Sequence, residues 1–548
     1  MYRMFKYPFA FICLINAFCL NGQINFTSSN LPIMIVDTDG NADIPDDPKI
    51  DAQMKLINNG PGQLNHILDL GNEYAGKIGI EIRGSSSADL FPKKGFGFET
   101  RLADNSNNNV SLLEMPEEND WVLHGPYSDK SLVRNALAYL LAAELMEYAP
   151  RVRHLELVVN GNYRGVYLLT EKIKRDKGRV DISKLNPVDI AGDELTGGYI
   201  IKIDKTTGDG NGWNSGFNYT GETNSHDFLY HDPKYDELAD EQKDYIQKYM
   251  FDFESMMDSD EFNDPINGYP KWIDEFSFMG MFFVNEMSKN VDGYRLSTYL
   301  YKDKDSVNPR LKGGPVWDFN LGFGNANYCE GESPQGWAYE FNDVCPGDYW
   351  NVPFFWEKLF DDPSYRSKIK NRWEALRSDV LSNESILNKV DSLENLLQEP
   401  QQRNFEQWPT LGEWVWPNYN VADTYNEEMD YMKDWIKDRL EWMDGEIALF
   451  DATASLNNSS NSSHLILYPN PAQNVLNLQL NVSVKASLDL VMFDARGNQV
   501  YQEIFEMNSL QHVTKNIRIN TWAIGLYYYI VMEDGEVKDR GSWVKVSK

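Results

Sequence analysis

Four short segments hold residue types that can do chemistry. Arg83-Gly84-Ser85-Ser86-Ser87, followed by Pro92-Lys93-Lys94, sets a glycine and three hydroxyls beside cations. Backbone N–H and O–H donors with positive side chains suit a polyphosphate, although a polar hairpin with solvated lysines has the same composition. Glu171-Lys172-Ile173-Lys174, with Arg175, Lys177 and Arg179 close behind, follows a run that reads as a strand. A strand-borne lysine reaching phosphates is a recurring device; a solvated strand edge is the plainer reading. Asn290-Val291-Asp292 ends the apolar run MGMFFVNEMSK. A carboxylate there can accept a proton from a substrate hydroxyl, or only close a helix C-terminal turn. Asp318 lies in GPVWDFNLGFGN, before a glycine-rich aromatic turn. Mg²⁺ prefers one or two carboxylates plus phosphate oxygens, and Asp318 is placed to be one of them.

Other chemistries are missing. There is no GxxxxGK[ST], GxSxG or HRD segment, no GxGxxG after a strand, and no HExxH among the seven histidines. The Asp-rich stretch 37–43 puts Ala42 where a calcium loop of the EF-hand type needs glycine, so it reads as a polar turn after a strand at 33–36.

These segments need elements to position them. Strands are expected at 78–82 and 155–159, with Asn160-Gly161-Asn162 as a tight hairpin into 166–170. Ser128-Asp129 caps an expected helix whose Val133, Leu137, Leu140, Leu141 and Leu145 share a face. Further helices are expected at 272–288, 354–376, 386–397 and 427–449, the last with Met432, Ile436, Leu440 and Met443 as its buried stripe. The expected fold class is α+β: two lobes, strand-rich to about residue 200 and helix-rich after it, with a cleft between them. Residues 453–463, TASLNNSSNSS, read as a flexible linker. After it, 464–548 is a series of short β-rich runs, with a hairpin turn at Arg496-Gly497-Asn498, that predicts a small β-sandwich.

Composition bounds the function. The 548 residues suit two or three domains, and 27 Phe, 30 Tyr and 15 Trp supply large cores. With 51 Lys and Arg against 83 Asp and Glu the net charge is −32, which excludes an overall basic footprint for nucleic acid or anionic membrane. Arg3 and Lys6 precede an apolar run at 9–20, short of the ~20 residues that a bilayer span needs. Residues 1–22 therefore read as a secretory signal cleaved near Gly22, and no later stretch reads as a transmembrane segment. Phe18 before Cys19 argues against lipidation. Removing Cys13 and Cys19 leaves Cys329 and Cys345, which an oxidising compartment would pair as a disulfide; two buried thiols are the alternative.

The four segments occur in order, with two others, in a pattern that resembles the CotH family of atypical secreted kinases. The resemblance runs through RGSSSADLFPKKGFGFET, DWVLHGPYSDKSLVRNALAYLLA, VVNGNYRGVYLLTEKIKRDKGRVDISKL, GGYIIKID, NVDGYRLSTYLYKD and GPVWDFNLGFGN. It implies a distantly protein-kinase-like domain over 23–452 that binds ATP with Mg²⁺ or another divalent cation such as Mn²⁺ or Ca²⁺, and phosphorylates Ser or Thr of an extracellular protein. Asp318 then resembles the metal-binding Asp and Asp292 the catalytic-loop Asp. Arg83, Lys94 and Lys172 match basic positions of the motifs, read here as ATP-phosphate contacts, and Asn325 is a weaker metal candidate. Five positions after Asp292, where many relatives have Asn, this chain has Ser297, a poorer second metal ligand.

The tail also has a resemblance. YPNPAQNVLNL, FDARGNQV and GLYYYIVMEDG are similar to the C-terminal sorting domain of type IX secretion, which implies passage through that machinery and a secreted or cell-surface protein. Two functional classes stay open: a secreted protein kinase, and an inactive CotH-like scaffold that binds glycan, protein or calcium. Trp408, Trp414 and Trp416 could form an aromatic platform for the second, or simply pack the helical lobe.

Overall fold

Seven segments of alternating or wholly apolar residues curl into a ring. They are Ile33–Thr38 (β1), Ile50–Ile57 (β2), Tyr74–Arg83 (β3), Gly95–Thr100 (β4), Asp120–His124 (β5), Val152–Val159 (β6) and Asn162–Glu171 (β7). In the computed structural model they form a closed barrel in the order β6-β7-β5-β4-β3-β2-β1. The parallel pairing of β6 with β1, from Glu156 opposite Ile33 to Val159 opposite Val36, closes it. Closure leaves no open edge, and one residue in two points inward. Met34, Leu56, Ile80, Phe98, Trp121 and Leu155 meet there. The Asn160-Gly161 hairpin joins β6 to β7 with φ of +50° and +71°, as a two-residue primed turn requires.

The structure describes residues 24–207, 210–218, 225–451, 464–468, 471–482, 486–494, 498–507, 511–533 and 536–546. The expected signal at 1–22 and linker at 453–463 lie outside them, as does most of the Arg496-Gly497-Asn498 turn. Among the described residues no helix is long and apolar enough to cross a membrane.

Beyond the barrel, Tyr199–Ile203 (β8), Gly212–Asn218 (β9), Ser225–Asp232 (β10), Thr298–Lys302 (β11) and Leu311–Gly313 (β12) form a second sheet in the order β9-β10-β8-β11-β12. Strands therefore continue well past residue 200, because GGYIIKID, DFLYHD and STYLYKD carry the aromatic and β-branched side chains that a sheet accepts. Six helices pack with this sheet in the largest core: Arg134–Ala143 (α1), Asp240–Met257 (α2), Glu275–Ser288 (α3), Pro363–Arg377 (α4), Asn383–Leu397 (α5) and Tyr425–Ala448 (α6). Apolar residues surround α3, and it is buried nearly all round.

Two helix expectations change in detail. The helix expected at 354–376 is two helices, Phe354–Leu359 and α4, because Asp362 caps the second through the Ser364 N–H (2.9 Å) and Pro363 takes its first position. The helix expected after Ser128-Asp129 starts only at Arg134, with Asp129 reaching forward to accept the Arg134 N–H at 3.0 Å. Val133, Leu137, Leu141 and Leu145 of its expected face are buried, while Leu140 is 38% exposed.

The chain divides into two compact units, Met1–Thr453 and Ala454–Lys548. The second holds a three-stranded sheet (His464–Tyr468, Val475–Val482, Gln511–Arg518) and a four-stranded one (Gln499–Met507, Ala486–Asp494, Gly525–Glu533, Glu536–Lys545). Leu476, Leu478, Leu490, Met492, Val531 and Trp543 share one core, giving the sandwich-like domain expected from the alternation.

In the first unit Cys329 and Cys345 form a disulfide, with Cα atoms 5.5 Å apart and a sequence separation of 16. Closing a loop of that length restricts the unfolded chain, so replacing both cysteines by alanine is expected to lower stability by about 3 kcal/mol. Urea unfolding of the oxidised protein and the variant measures this. Coincident midpoints would show that the loop closure contributes nothing.

Candidate active site

Asp318 is held by its backbone. Its N–H donates to Tyr139 Oη (3.1 Å), and the next N–H, of Phe319, donates to Asn135 Oδ1 (2.6 Å). Asn135 and Tyr139 lie four apart on α1, so one helix face grips two successive amides. Asp318 itself has φ of +65°, a conformation that is rare for a residue with a Cβ and that Asp tolerates better than most. Arg134, at the start of α1, donates through Nε to the Gly322 carbonyl at 3.1 Å, fixing the far side of the same turn.

Asp292 follows the end of α3, where Lys289 adopts φ of +41° and turns the chain. Asn290 then links the two acidic residues. Its Oδ1 accepts the Asp292 N–H (3.3 Å), and its Nδ2 donates to the Asp318 carbonyl (3.2 Å). One amide side chain thereby sets the two backbones against each other. Arg295 meets the Asp292 carboxylate from behind, Nη2 to Oδ1 at 3.1 Å.

The Asp292 carboxylate lies close enough to Asp318 to act on its charge. Burial, and then the Asp292 and Asp204 carboxylates, push Asp318 up to about 6 against the pull of Arg83 and Lys205. Asp292 is also raised, first by burial and then by Asp204 and Asp348, with Arg295 and Lys205 opposing. Asp204, just beyond β8, accepts from Lys202 Nζ at 3.0 Å. Lys205 Nζ reaches Ser86 Oγ (3.4 Å) in the hydroxyl-rich segment and lies 4.7 Å from the Trp350 ring.

A cationic rim borders these acids. The Arg83 guanidinium stands 5.4 Å over the Trp317 ring, and among the described residues it has no hydrogen bond or ion pair. Lys172, the residue after β7, lies 3.6 Å from Asp120; burial holds its amine below the usual lysine range, partly offset by that carboxylate. His231 sits among Lys202, Lys172 and Arg83, and burial, reinforced by those charges, takes it down to about 3, so its ring is neutral.

The structure thus brings Arg83, Asp292 and Asp318 together and puts Lys172 on the same cationic side. Two further expected residues spend their polar atoms on local structure. Lys94 donates its ammonium to the Ala88 carbonyl. The metal expectation for Asn325 is corrected: its Nδ2 donates to the Asn320 and Ser128 carbonyls, and its Oδ1 accepts from Asn418 Nδ2 at 2.8 Å, so the amide is spent on holding the turn. Trp408 donates to the Arg164 carbonyl and meets Tyr127 edge-on. Trp414 and Trp416 are 57% and 40% exposed, and Trp416 stacks on Tyr328. Among the described residues the three indoles make no ring contact with one another.

Sequence reasoning passed over Asp204, Lys205 and Arg295. The first had a readable signal, since the alternation in YIIKID puts Lys202 and Asp204 on one face of a strand.

Among the described residues no three Asp, Glu, His or Cys side chains gather closely enough to hold a metal ion unaided. Mg²⁺ does not need such a cage: it takes one or two carboxylates and completes its shell with water and phosphate oxygens. Two hard-oxygen side chains whose proton affinity is raised by burial and by neighbouring carboxylates fit a divalent cation, whose charge offsets both.

The raised proton affinity of Asp318 has a measurable sign. Asp318 titrates near 6 in the folded protein against an ordinary 3.8, so the native state holds its proton more tightly and loses stability as pH rises between those values. Asp318→Asn is therefore expected to stabilise the unliganded protein near pH 7.5 by about 1–3 kcal/mol and to be neutral below pH ~4. Melting temperatures at the two pH values measure it. No difference between them would mean that the carboxylate is neither desolvated nor crowded.

Residues 80–443 match the family described as CotH kinase protein. Residues 466–543 match the secretion system C-terminal sorting domain, which marks export to the cell surface or beyond. No curated protein matches the chain. Among solved structures, the twitchin kinase region from C. elegans is similar with 9% identity and a TM-score of 0.17, covering 91% of this chain and 88% of that one. The sulfur carrier protein SoxY from Chlorobium limicola f thiosulfatophilum has 16% identity and a TM-score of 0.13, covering 18% of this chain and 96% of that one. Likenesses this small carry no argument. The family match spans most of the chain and takes in both acids and their cationic rim, and the protein belongs to the CotH kinase family.

Proposed function

We propose that the protein is a secreted CotH-like kinase, on a distantly protein-kinase-like scaffold, that transfers the γ-phosphate of ATP to Ser or Thr of an extracellular protein. The observation that carries this reading is the pair Asp292 and Asp318, tied together by Asn290 beside an Arg83 guanidinium that stacks on Trp317 and, among the described residues, has no hydrogen bond or ion pair. Transfer through a loose transition state is mainly positioning and charge neutralisation, which is what such a site supplies.

Asp318 would hold the divalent cation, Mg²⁺ or one of its relatives, which when bound neutralises phosphate oxygens. Arg83 would contact the phosphates directly, with Lys205 and Lys172 adding positive charge around them. Asp292 would orient the acceptor hydroxyl. The hydroxyl oxygen bonds to the γ-phosphorus, the bond to the β–γ bridging oxygen breaks, ADP leaves, and the proton goes to Asp292. The raised proton affinity of Asp292 suits it to that last step. Ser297 offers a weak second ligand, so the reading leans on Asp318 for the cation. Lys94 and Asn325 have no part in it. The sorting domain would deliver the enzyme through the type IX machinery, where its acceptor would be met.

Purified full-length protein should incorporate ³²P from ATP with Mg²⁺. Asp318→Ala and Asp292→Ala should each lower the rate by about 10²–10³-fold, and Arg83→Ala by about 10–10²-fold. Equal incorporation by wild type and both Asp variants would remove the site. No incorporation by wild type would leave an exported CotH-like scaffold.

A further inference from the structure

We infer that Arg295 is a positioning residue for Asp292, and that the loop following Cys345 is what holds Arg295. The inference rests on the kinase reading above. Arg295 is 3% exposed, and its whole guanidinium is committed. Nη2 meets Asp292 Oδ1 at 3.1 Å, and Nη1 meets Asp348 Oδ1 at 3.1 Å and the Trp350 carbonyl at 3.0 Å. Nε donates to the Val291 carbonyl at 2.8 Å, and the plane lies 3.8 Å from the centre of the Phe341 ring. A planar fork fixed at every nitrogen fixes the carboxylate that it touches.

The pair differs from the buried Glu286–Arg439 pair. Glu286 uses both carboxylate oxygens, on Arg439, Tyr294 and two backbone N–H groups, and has none to spare. Asp292 is held through Oδ1 alone, and among the described residues its Oδ2 has no hydrogen-bond partner. The geometry is that of a carboxylate aimed by one oxygen so that the other is free to act.

The supporting loop serves both sides of the site. Asp348 and the Trp350 carbonyl hold Arg295, while the Trp350 ring carries Lys205, whose charge reaches Asp292 and Asp318. The disulfide at Cys345 anchors this loop beside Tyr328, the residue before Cys329, which faces the same two acids. Lysine at 295 would keep the charge and lose the fork.

The test uses the full chain, ATP with Mg²⁺ and a mixed Ser/Thr peptide library as acceptor, comparing wild type, Arg295→Lys and Asp348→Asn. Arg295→Lys is expected to lower kcat by about 10–10²-fold with the KM for ATP within twofold, the cost of a misaimed group rather than of lost binding. Asp348→Asn should act in the same direction by a smaller factor. Wild-type activity with kcat unchanged in Arg295→Lys, or with only KM raised, overturns the positioning role and leaves the kinase reading intact. No transfer by wild type overturns both. If Arg295→Lys fails to fold, as judged by its melting temperature, Asp348→Asn decides: an unchanged kcat overturns the inference and a lowered one supports it.

Discussion

One buried arginine joins the parts that make the site. Arg134 is closed off from solvent and meets Asp129 at 2.7 Å and Glu428 at 2.8 Å, while its Nε holds the Gly322 carbonyl. Three distant stretches of chain converge on it: the approach to α1, the long helix α6, and the turn that carries Asp318. Such a charge is tolerated only because its partners are charged and close. Taking it away would leave two carboxylates buried and uncompensated, which costs about 3–5 kcal/mol in comparable cases. A second pair does the same for Asp292. Arg439 of α6 meets Glu286 near the end of α3, and Glu286 also takes the Tyr294 hydroxyl and the N–H groups of Ala338 and Tyr339. The helix α6 thus helps to set both acidic loops.

Those anchors hold an arrangement that does not favour the folded state. The Asp292 and Asp204 carboxylates act on Asp318, Asp318 takes a backbone conformation unusual for its type, and among the described residues Arg83 has no ionic partner. Strain and like charge gathered at one place, inside a scaffold that is otherwise well paired, are common at sites that bind or react. The barrel and the core around α3 supply the stability against which this is set.

Particular residues show how far reading went. The Asn160-Gly161 hairpin, the barrel strand holding 78–82 and the stripe on α6 were legible because each depends on neighbours within a few positions. Asp292 and Asp318 stood out because an acid at the end of an apolar run, or before a glycine-rich turn, is locally odd. Lys94 misled for the opposite reason: in Pro92-Lys93-Lys94 nothing local says that Lys93 is buried against Asn404 or that Lys94 turns back to Ala88. Asn325 was similar, since its partner Asn418 lies 93 positions away.

The sequence alone determined the export tail, the α+β class, the sandwich-like second unit and the residue types available for phosphate and cation chemistry. These follow from periodicity, turn residues and ordered motifs, which act over short spans of chain. Only the tertiary structure decided which charges meet. Asn290 spanning from 292 to 318, Arg295 fixed by Asp348, and Asp204 pressing on Asp318 are long-range contacts, whose energies depend on distance in space and on how much water has been removed, and neither is written in the order of the residues.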